Sequence, residues 1–431
     1  MAAAAVLSLY ALGPPEVVPA GAPATEFSAE RAMEDLKIVA EVPRPVGSQG
    51  HAEARQYILQ QIRAQGLRPR MQTTTAVEPL PEGGAAVAAR VNNVLVRLPG
   101  TSDSQEAVLL SAHYDSWAGS TPGASDCGSC IVTLLETLRA LKAGPPLKHD
   151  VIFLFTDAEE RISLGAKGFV EDDPWTEDAR FVLNFEGAGS HGPAMVLQTT
   201  EQNGRVVDGL LGAAPHPVVD SVLPFMFGKV AGGDDMEVYK QGLDAAGLDF
   251  VYFVDRSVYH DARDNLQTID PRSVQHDGSY ALALTRHFGD ATLEDLKAPN
   301  QTFFTVLPGV TLHYPEGWTL PLSVLLALAF LGIVTLGVVR GRLGVGKLVL
   351  SILISLLVLL GSFAATTLLW VLVEALNPAY RQTLIFSTVV TYNGPIYLIA
   401  FAAFTVALTT SLYALLGGKL DWPNLAAGAM F

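Results

Sequence analysis

Five short runs bring histidine or carboxylate side chains to the ends of apolar segments, and their chemistry can be read before any fold is assumed. In "VLLSAHYDS" an apolar run ends at His113, with Asp115 two positions later. "PGASDCGSC" places Asp126 on a turn just ahead of the apolar periodic run "IVTLLETLRAL". "VIFLFTDAEE" ends in Asp157, Glu159 and Glu160, "FVLNFEGAGS" releases Glu186, and "LDFVYFVDRSVYHDARDN" carries His260. Each has an ordinary alternative: a helix N-cap for Asp126, solvated loop carboxylates for the glutamates, packed or turn positions for the histidines.

The set is more specific than its members. Imidazole nitrogen and carboxylate oxygen are the donors zinc prefers. Two adjacent glutamates at a strand end repel each other, and a divalent cation relieves that repulsion if one is a ligand. The other is then free to deprotonate a water. A carboxylate shared between two cations would hold them roughly 3.5–4 Å apart, as in two-metal hydrolases. Asp115 next to His113 fits a carboxylate that orients a metal-bound imidazole.

Positioning such groups needs strands that end together. Continuous apolar runs at Asn93–Leu98, Ala107–Ala112, Asp150–Phe155, Phe181–Phe185, Met195–Gln198 and Asp249–Phe253 read as strands, several covered on both faces. Helical periodicity predicts helices over Ala29–Val42, His51–Gln65, Ser129–Ala143 and His276–Phe288. Strands alternating with helices predict an α/β fold, a three-layer α/β/α sandwich with a mixed, mostly parallel central sheet, over residues 28–317. Pro79–Pro81 and Pro145–Pro146 mark loops.

The rest of the chain is of another kind. Residues 318–431 read as a membrane domain with about three transmembrane helices at 318–339, 348–373 and 395–416, each long enough to cross roughly 30 Å of hydrocarbon. Arg340, Arg342 and Lys347 lie between the first two spans with no acidic residue among them, which predicts a cytoplasmic loop. The preceding domain is then expected on the extracytoplasmic (periplasmic, extracellular or lumenal) side. Residues 1–27 are expected to be an apolar segment and linker; Ala2–Leu12 is too short to span, and reads as a truncated membrane helix or signal. The formal charge of −15 is carried by the region before the spans and argues against a nucleic-acid partner. The two cysteines, Cys127 and Cys130, cannot build a disulfide scaffold or a four-cysteine zinc site, and are expected as reduced neighbours or an incidental disulfide.

The order "SAHYDS … GASDCGS … TDAEE … NFEG … YHDARDN" resembles the co-catalytic two-zinc aminopeptidase family, which includes bacterial leucyl aminopeptidase and glutamate carboxypeptidase. The opening "PRPVGS", the glutamate of "NFEG" and the C-terminal spans look most like its membrane branch, with endoplasmic reticulum metallopeptidase and vacuolar membrane protease. The resemblance implies a metallopeptidase with two Zn2+ ions acting on peptide substrates at a lipid bilayer. It implies that His113 and Glu186 bind one zinc, Glu160 and His260 the other, and that Asp126 bridges them. It implies Glu159 as general base, Asp115 as orienter of His113, Tyr259 as a donor to the oxyanion, and a cis peptide after Asp126. Departures are Cys130 where the family usually has glycine, and Arg161 and Ile162 where glycine tends to follow the paired glutamates; Arg161 bears on substrate charge preference. Single-zinc glutaminyl cyclase and non-catalytic receptors or scaffolds share the resemblance, and retention of every ligand position favours a two-zinc exopeptidase.

Overall fold

The computed structural model describes residues 13–79, 85–230, 234–377, 394–417 and 420–430. The segment Ala2–Leu12, most of the Pro79–Pro81 loop and Arg381 lie outside the described residues. The chain divides into two compact units, Met1–Glu316 and Gly317–Phe431.

The first unit opens with helices α1 (Ala29–Val39) and α2 (Gln49–Ala64), capped by the hydroxyls of Ser28 and Ser48. Strands β1 (Arg70–Pro79), β2 (Ala86–Leu98) and β3 (Ala107–His113) follow, then α3 (Cys130–Lys142), β4 (Asp150–Thr156), α4 (Glu159–Ile162) and α5 (Leu164–Asp172). Next come β5 (Ala179–Gly187), β6 (Met195–Thr199), α6 (Gly204–Ala213), α7 (Val222–Val230), α8 (Asp235–Gly242), β7 (Ala246–Tyr252) and α9 (Pro271–Asp290). A hairpin, β8 (Gln301–Leu307) with β9 (Val310–Pro315), closes the unit.

The seven-stranded sheet has the order β1-β2-β4-β3-β5-β7-β6. Its centre, β4-β3-β5-β7, is parallel, while β1, β2 and β6 pair antiparallel at the edges. Alternation along the strands sorts the core into two layers. Val108, Leu110, Phe153, Phe155, Leu183 and Phe250 pack against α1, α3 and α9 on one face. Leu109, Ile152, Leu154 and Val182 pack against α5 and α8 on the other. This is the mixed α/β/α sandwich that the strand pattern predicts.

Three local readings need correction. The strand near Asp249 starts three residues earlier, at Ala246, and stops at Tyr252. Strand β1 is invisible in the apolar pattern because it is a polar edge strand with most side chains at least partly exposed. Residues 13–27 are no linker: Arg31 donates to the carbonyls of Ala20, Ala22 and Glu26, Arg139 to Ala24 and Glu26, and Arg286 to Thr25, while Phe27 is buried in the core.

The second unit contains α10 (Thr319–Val339), α11 (Val345–Leu376), α12 (Gly394–Gly417) and α13 (Trp422–Ala429). Among the described residues, two segments, Glu316–Val339 and Val345–Leu376, are long and apolar enough to cross a membrane, and Ile399–Leu415 is a shorter apolar stretch within α12. Hydroxyl pairs join α11 to α12: Ser362 with Thr409 and Thr366 with Thr405, each at 3.0 Å, and Tyr413 donating to Ser355 at 3.1 Å. Such pairs in an apolar medium contribute roughly 0.6–2 kcal/mol each.

Candidate metal centre

The parallel strands β3, β4, β5 and β7 all end on the same edge, where functional side chains of open α/β sheets gather. His113 is the last residue of β3, Glu186 the penultimate residue of β5, and Glu159 and Glu160 open α4 directly after β4. His260 lies on the loop after β7, at a positive φ of 58°. Asp126 sits between β3 and α3, at a cis Asp126–Cys127 peptide.

That loop is shaped by two close approaches. Gly123 has φ +66°, and a Cβ there would lie 2.4 Å from the carbonyl oxygen of Asp126. A Cβ on Gly187 would lie 2.2 Å from the carbonyl oxygen of Ser125, so the end of β5 can run against the Asp126 loop only as glycine.

The five candidate ligands converge. His113 Nε2 lies 3.2 Å from Asp126 Oδ1 and 3.5 Å from Glu186 Oε2. His260 Nε2 lies 3.2 Å from Asp126 Oδ2 and 3.1 Å from Glu160 Oε2. Two ligand sets therefore share one residue, His113–Asp126–Glu186 and Asp126–Glu160–His260, with the Cys127 sulfur beside the first. Asp126 Oδ2, Glu160 Oε1 and His260 Nε2 are buried without a hydrogen-bond partner. Buried polar atoms are seldom left unpaired, and an imidazole and carboxylates left so on facing side chains suit a zinc ion.

Supporting contacts fix the ligands. His113 Nδ1 faces the Asp115 carbonyl at 3.2 Å and the Asp115 carboxylate at 3.4 Å, which leaves Nε2 for the shared centre. The same Asp115 carboxylate receives the backbone N–H groups of Glu159 (3.0 Å) and Glu160 (3.3 Å), capping the first turn of α4 from another loop. Glu159 Oε2 ends 3.9 Å from His113 Nε2. The rings of Tyr259 and Trp117 both stack on His260, at 3.7 and 4.1 Å. Cys127 and Cys130 are joined as a disulfide.

Sequence reasoning assigned no role to three further groups. Asp264 accepts the backbone N–H of Ser125 (2.7 Å) and of Asp126 (3.1 Å). Arg44, fully buried, donates to the carbonyls of Tyr114, Val39, Pro122 and Gly123, lacing α1 to the turn ahead of Asp126. His51 pairs with Asp157 at 2.8 Å just ahead of the paired glutamates. Asp264 falls within the quoted "YHDARDN" and Arg44 within "PRPVGS", but nothing in either run shows what its side chain reaches.

The electrostatics follow from crowding acids out of water. Burial pushes the Glu159 carboxyl well above its ordinary range; His113 opposes this, while Glu186, Asp235 and Glu160 add to it. Burial and the Asp126 charge push Glu160 up to about 8. Burial opposes ionisation of Asp126 as well, but the imidazoles of His113 and His260 beside its two oxygens hold it below the usual carboxylate range. Burial works against the His260 cation, yet Asp126 and Glu160 raise it to about 9. Protons and a metal ion would compete for these same atoms.

Residues 93–285 match the model for peptidase family M28. All five candidate ligand positions lie within the matched region. Endoplasmic reticulum metallopeptidase 1 of Mus musculus is 29% identical over 310 residues, 68% of this chain and 34% of that protein. Vacuolar membrane protease of Schizosaccharomyces japonicus is 28% identical over 286 residues, 64% of this chain and 33% of that protein. The chain thus spans about a third of the length of these relatives. Among solved structures, glutaminyl cyclase of Porphyromonas gingivalis aligns with a TM-score of 0.48 and 19% identity, covering 60% of this chain and 98% of that one.

Proposed function

We propose that this chain is a member of peptidase family M28, a membrane-anchored exopeptidase that hydrolyses terminal peptide bonds at a two-zinc site. The observation that carries the reading is the sharing of Asp126, whose two carboxylate oxygens each face a different histidine. His113 and Glu186 would hold one ion, Glu160 and His260 the other, with Asp126 between them. Zinc bound there supplies a lowered pKa for water and polarisation of the scissile carbonyl.

The chain's own groups do the proton work. Glu159 is not among the atoms that converge on Asp126, and its raised pKa suits a group that takes a proton and gives it back. It removes the proton of the attacking water and returns it to the leaving amine. Asp115 sets the position of this base through the Glu159 N–H and the tautomer of His113 through Nδ1. Tyr259, stacked on His260, supplies a hydroxyl for the oxyanion, and burial keeps it protonated well above its ordinary pKa. The cationic loop Arg340–Lys347 supports an extracytoplasmic side for the peptidase unit.

The test is Glu159→Gln in the zinc-loaded full chain. Peptide turnover is expected to fall at least about a thousandfold, combining loss of the base with loss of its positioning, while zinc content stays at the wild-type level. Turnover within a few-fold of wild type would remove Glu159 from the mechanism.

A further inference from the structure

The candidate centre carries an unusual stack on its His260 side. Trp117 lies against His260 with ring centroids 4.1 Å apart and planes 7° apart. The Arg161 guanidinium lies over the outer side of that arrangement, 4.8 Å from the Trp117 ring. On the other side Tyr259 stacks on His260 and carries the Arg256 guanidinium at 4.9 Å. Two rings this close to one imidazole must occupy its opposite faces, so the order is guanidinium, indole, imidazole, phenol, guanidinium.

Most arginines of this unit have work inside the fold. Arg44 satisfies backbone carbonyls, Arg31 pairs with Glu136, and Arg97 with Asp150 and Asp178. Arg161 does not. Its side chain is exposed, and among the described residues no carboxylate or carbonyl takes its N–H groups. A guanidinium resting on an indole face keeps its in-plane donors free, because the ring is contacted by its flat side. The stack also limits where those donors are: the two centroid distances taken end to end put Arg161 at most about 9 Å from the His260 ring. Consecutive peptide residues are 3.8 Å apart, so the reach covers a group one or two residues from a scissile bond held at the centre.

Charge decides what that group would be. Asp126, Glu159, Glu160 and Glu186 together offset the charge of two divalent cations, so the centre itself gives an incoming carboxylate little net attraction. Arg161 adds an uncompensated positive charge with forked donors that match a carboxylate in two parallel hydrogen bonds. It repels an ammonium at the same place.

Building on the peptidase reading, we propose that Arg161, seated on Trp117, is a specificity-determining residue that binds a substrate carboxylate one or two residues from the scissile bond. The carboxylate can be the free C-terminus of a short peptide or the side chain of an acidic residue.

The experiment uses the full chain in detergent with zinc and compares kcat/KM across two substrate pairs. Leu-Leu against Leu-Leu-amide tests a terminal carboxylate; Leu-Glu-amide against Leu-Gln-amide tests a side-chain carboxylate. Wild type is expected to favour the carboxylate in at least one pair by about tenfold or more, the scale of one charge-assisted contact, and the favoured pair names the source. Arg161→Met, which keeps an apolar stem on Trp117, should abolish that preference mainly through KM, with the amide substrates cleaved within about twofold of wild type. Arg161→Lys should keep part of the preference. Preference absent in wild type, or unchanged in Arg161→Met while peptides are still cleaved, overturns the carboxylate subsite and leaves the peptidase reading standing. No cleavage of any of the four by zinc-loaded wild type overturns the peptidase reading, and the subsite with it.

Discussion

Asp264 receives the backbone N–H of Asp126 at 3.1 Å, so the residue shared by both ligand sets is itself held by a carboxylate from the loop that carries His260. The same carboxylate takes the N–H of Ser125 at 2.7 Å. One buried side chain thereby fixes the distance between the Asp126 loop and the His260 loop. Asp264→Ala is expected to weaken zinc binding about 10–100-fold, the usual cost of losing a group that orients ligands. Competition with a chromophoric chelator measures this; an unchanged affinity would show that the loops hold themselves.

Metal stoichiometry discriminates the two-zinc reading from a single-zinc cyclase. Wild type dialysed against saturating zinc should hold two equivalents per chain by elemental analysis. His113→Ala and His260→Ala should each reduce the count to about one, because each histidine belongs to a different set. One equivalent in wild type would sink the bridged pair.

Asp115 joins the proposed base to a proposed ligand, since it meets His113 Nδ1 and the N–H groups of Glu159 and Glu160. Asp115→Ala should lower kcat about a hundredfold with a smaller change in KM, because a misplaced base costs on that order. A change confined to KM would assign Asp115 to substrate binding instead.

Arg44 is expected to matter for stability more than its charge suggests. Removing it as Arg44→Met leaves four carbonyls inside the fold without their donor, for a loss of about 3 kcal/mol or more. The thermal midpoint of the soluble unit should fall, and zinc retention with it, because two of those carbonyls belong to the turn ahead of Asp126. Unchanged stability would mean that the turn repacks freely.

His276 gives the unit a pH dependence. Burial lowers its pKa to about 4 from an ordinary 6.5, and its ring nitrogens meet the Ala194 N–H (3.1 Å) and the His216 carbonyl (3.2 Å) as a neutral imidazole. The unfolded chain therefore binds a proton at a higher pH than the native one. Stability is fully present above about pH 6.5 and is lost as pH falls towards 4. The expected contribution is about 2 kcal/mol between pH 7 and pH 5. Denaturant titrations of wild type and His276→Gln at the two pH values check it, and equal slopes in both proteins would assign the acid sensitivity to other groups.

Much of the fold was legible because its strands are buried on both faces and read as plain apolar runs; all six expected strands start or end within two residues of those observed. The polar edge strand β1 and the hairpin β8–β9 were not, since edge positions leave side chains in water and erase the apolar pattern. Residues 13–27 read as linker because their anchoring comes from Arg31, Arg139 and Arg286, two of them more than a hundred positions away.

The chemistry divides in the same way. Residue type and placement at the ends of apolar runs determined which histidines and carboxylates could serve a metal, since donor chemistry belongs to the side chain wherever it is folded. Which oxygen of Asp126 faces which histidine, that Asp115 meets both His113 and the N–H of Glu159, that Asp264 and Arg44 brace the shared residue, and that Arg161 rests on Trp117 were decided only in three dimensions. Those contacts join residues up to 139 positions apart, and no local pattern encodes a distance that depends on how four parallel strands are aligned.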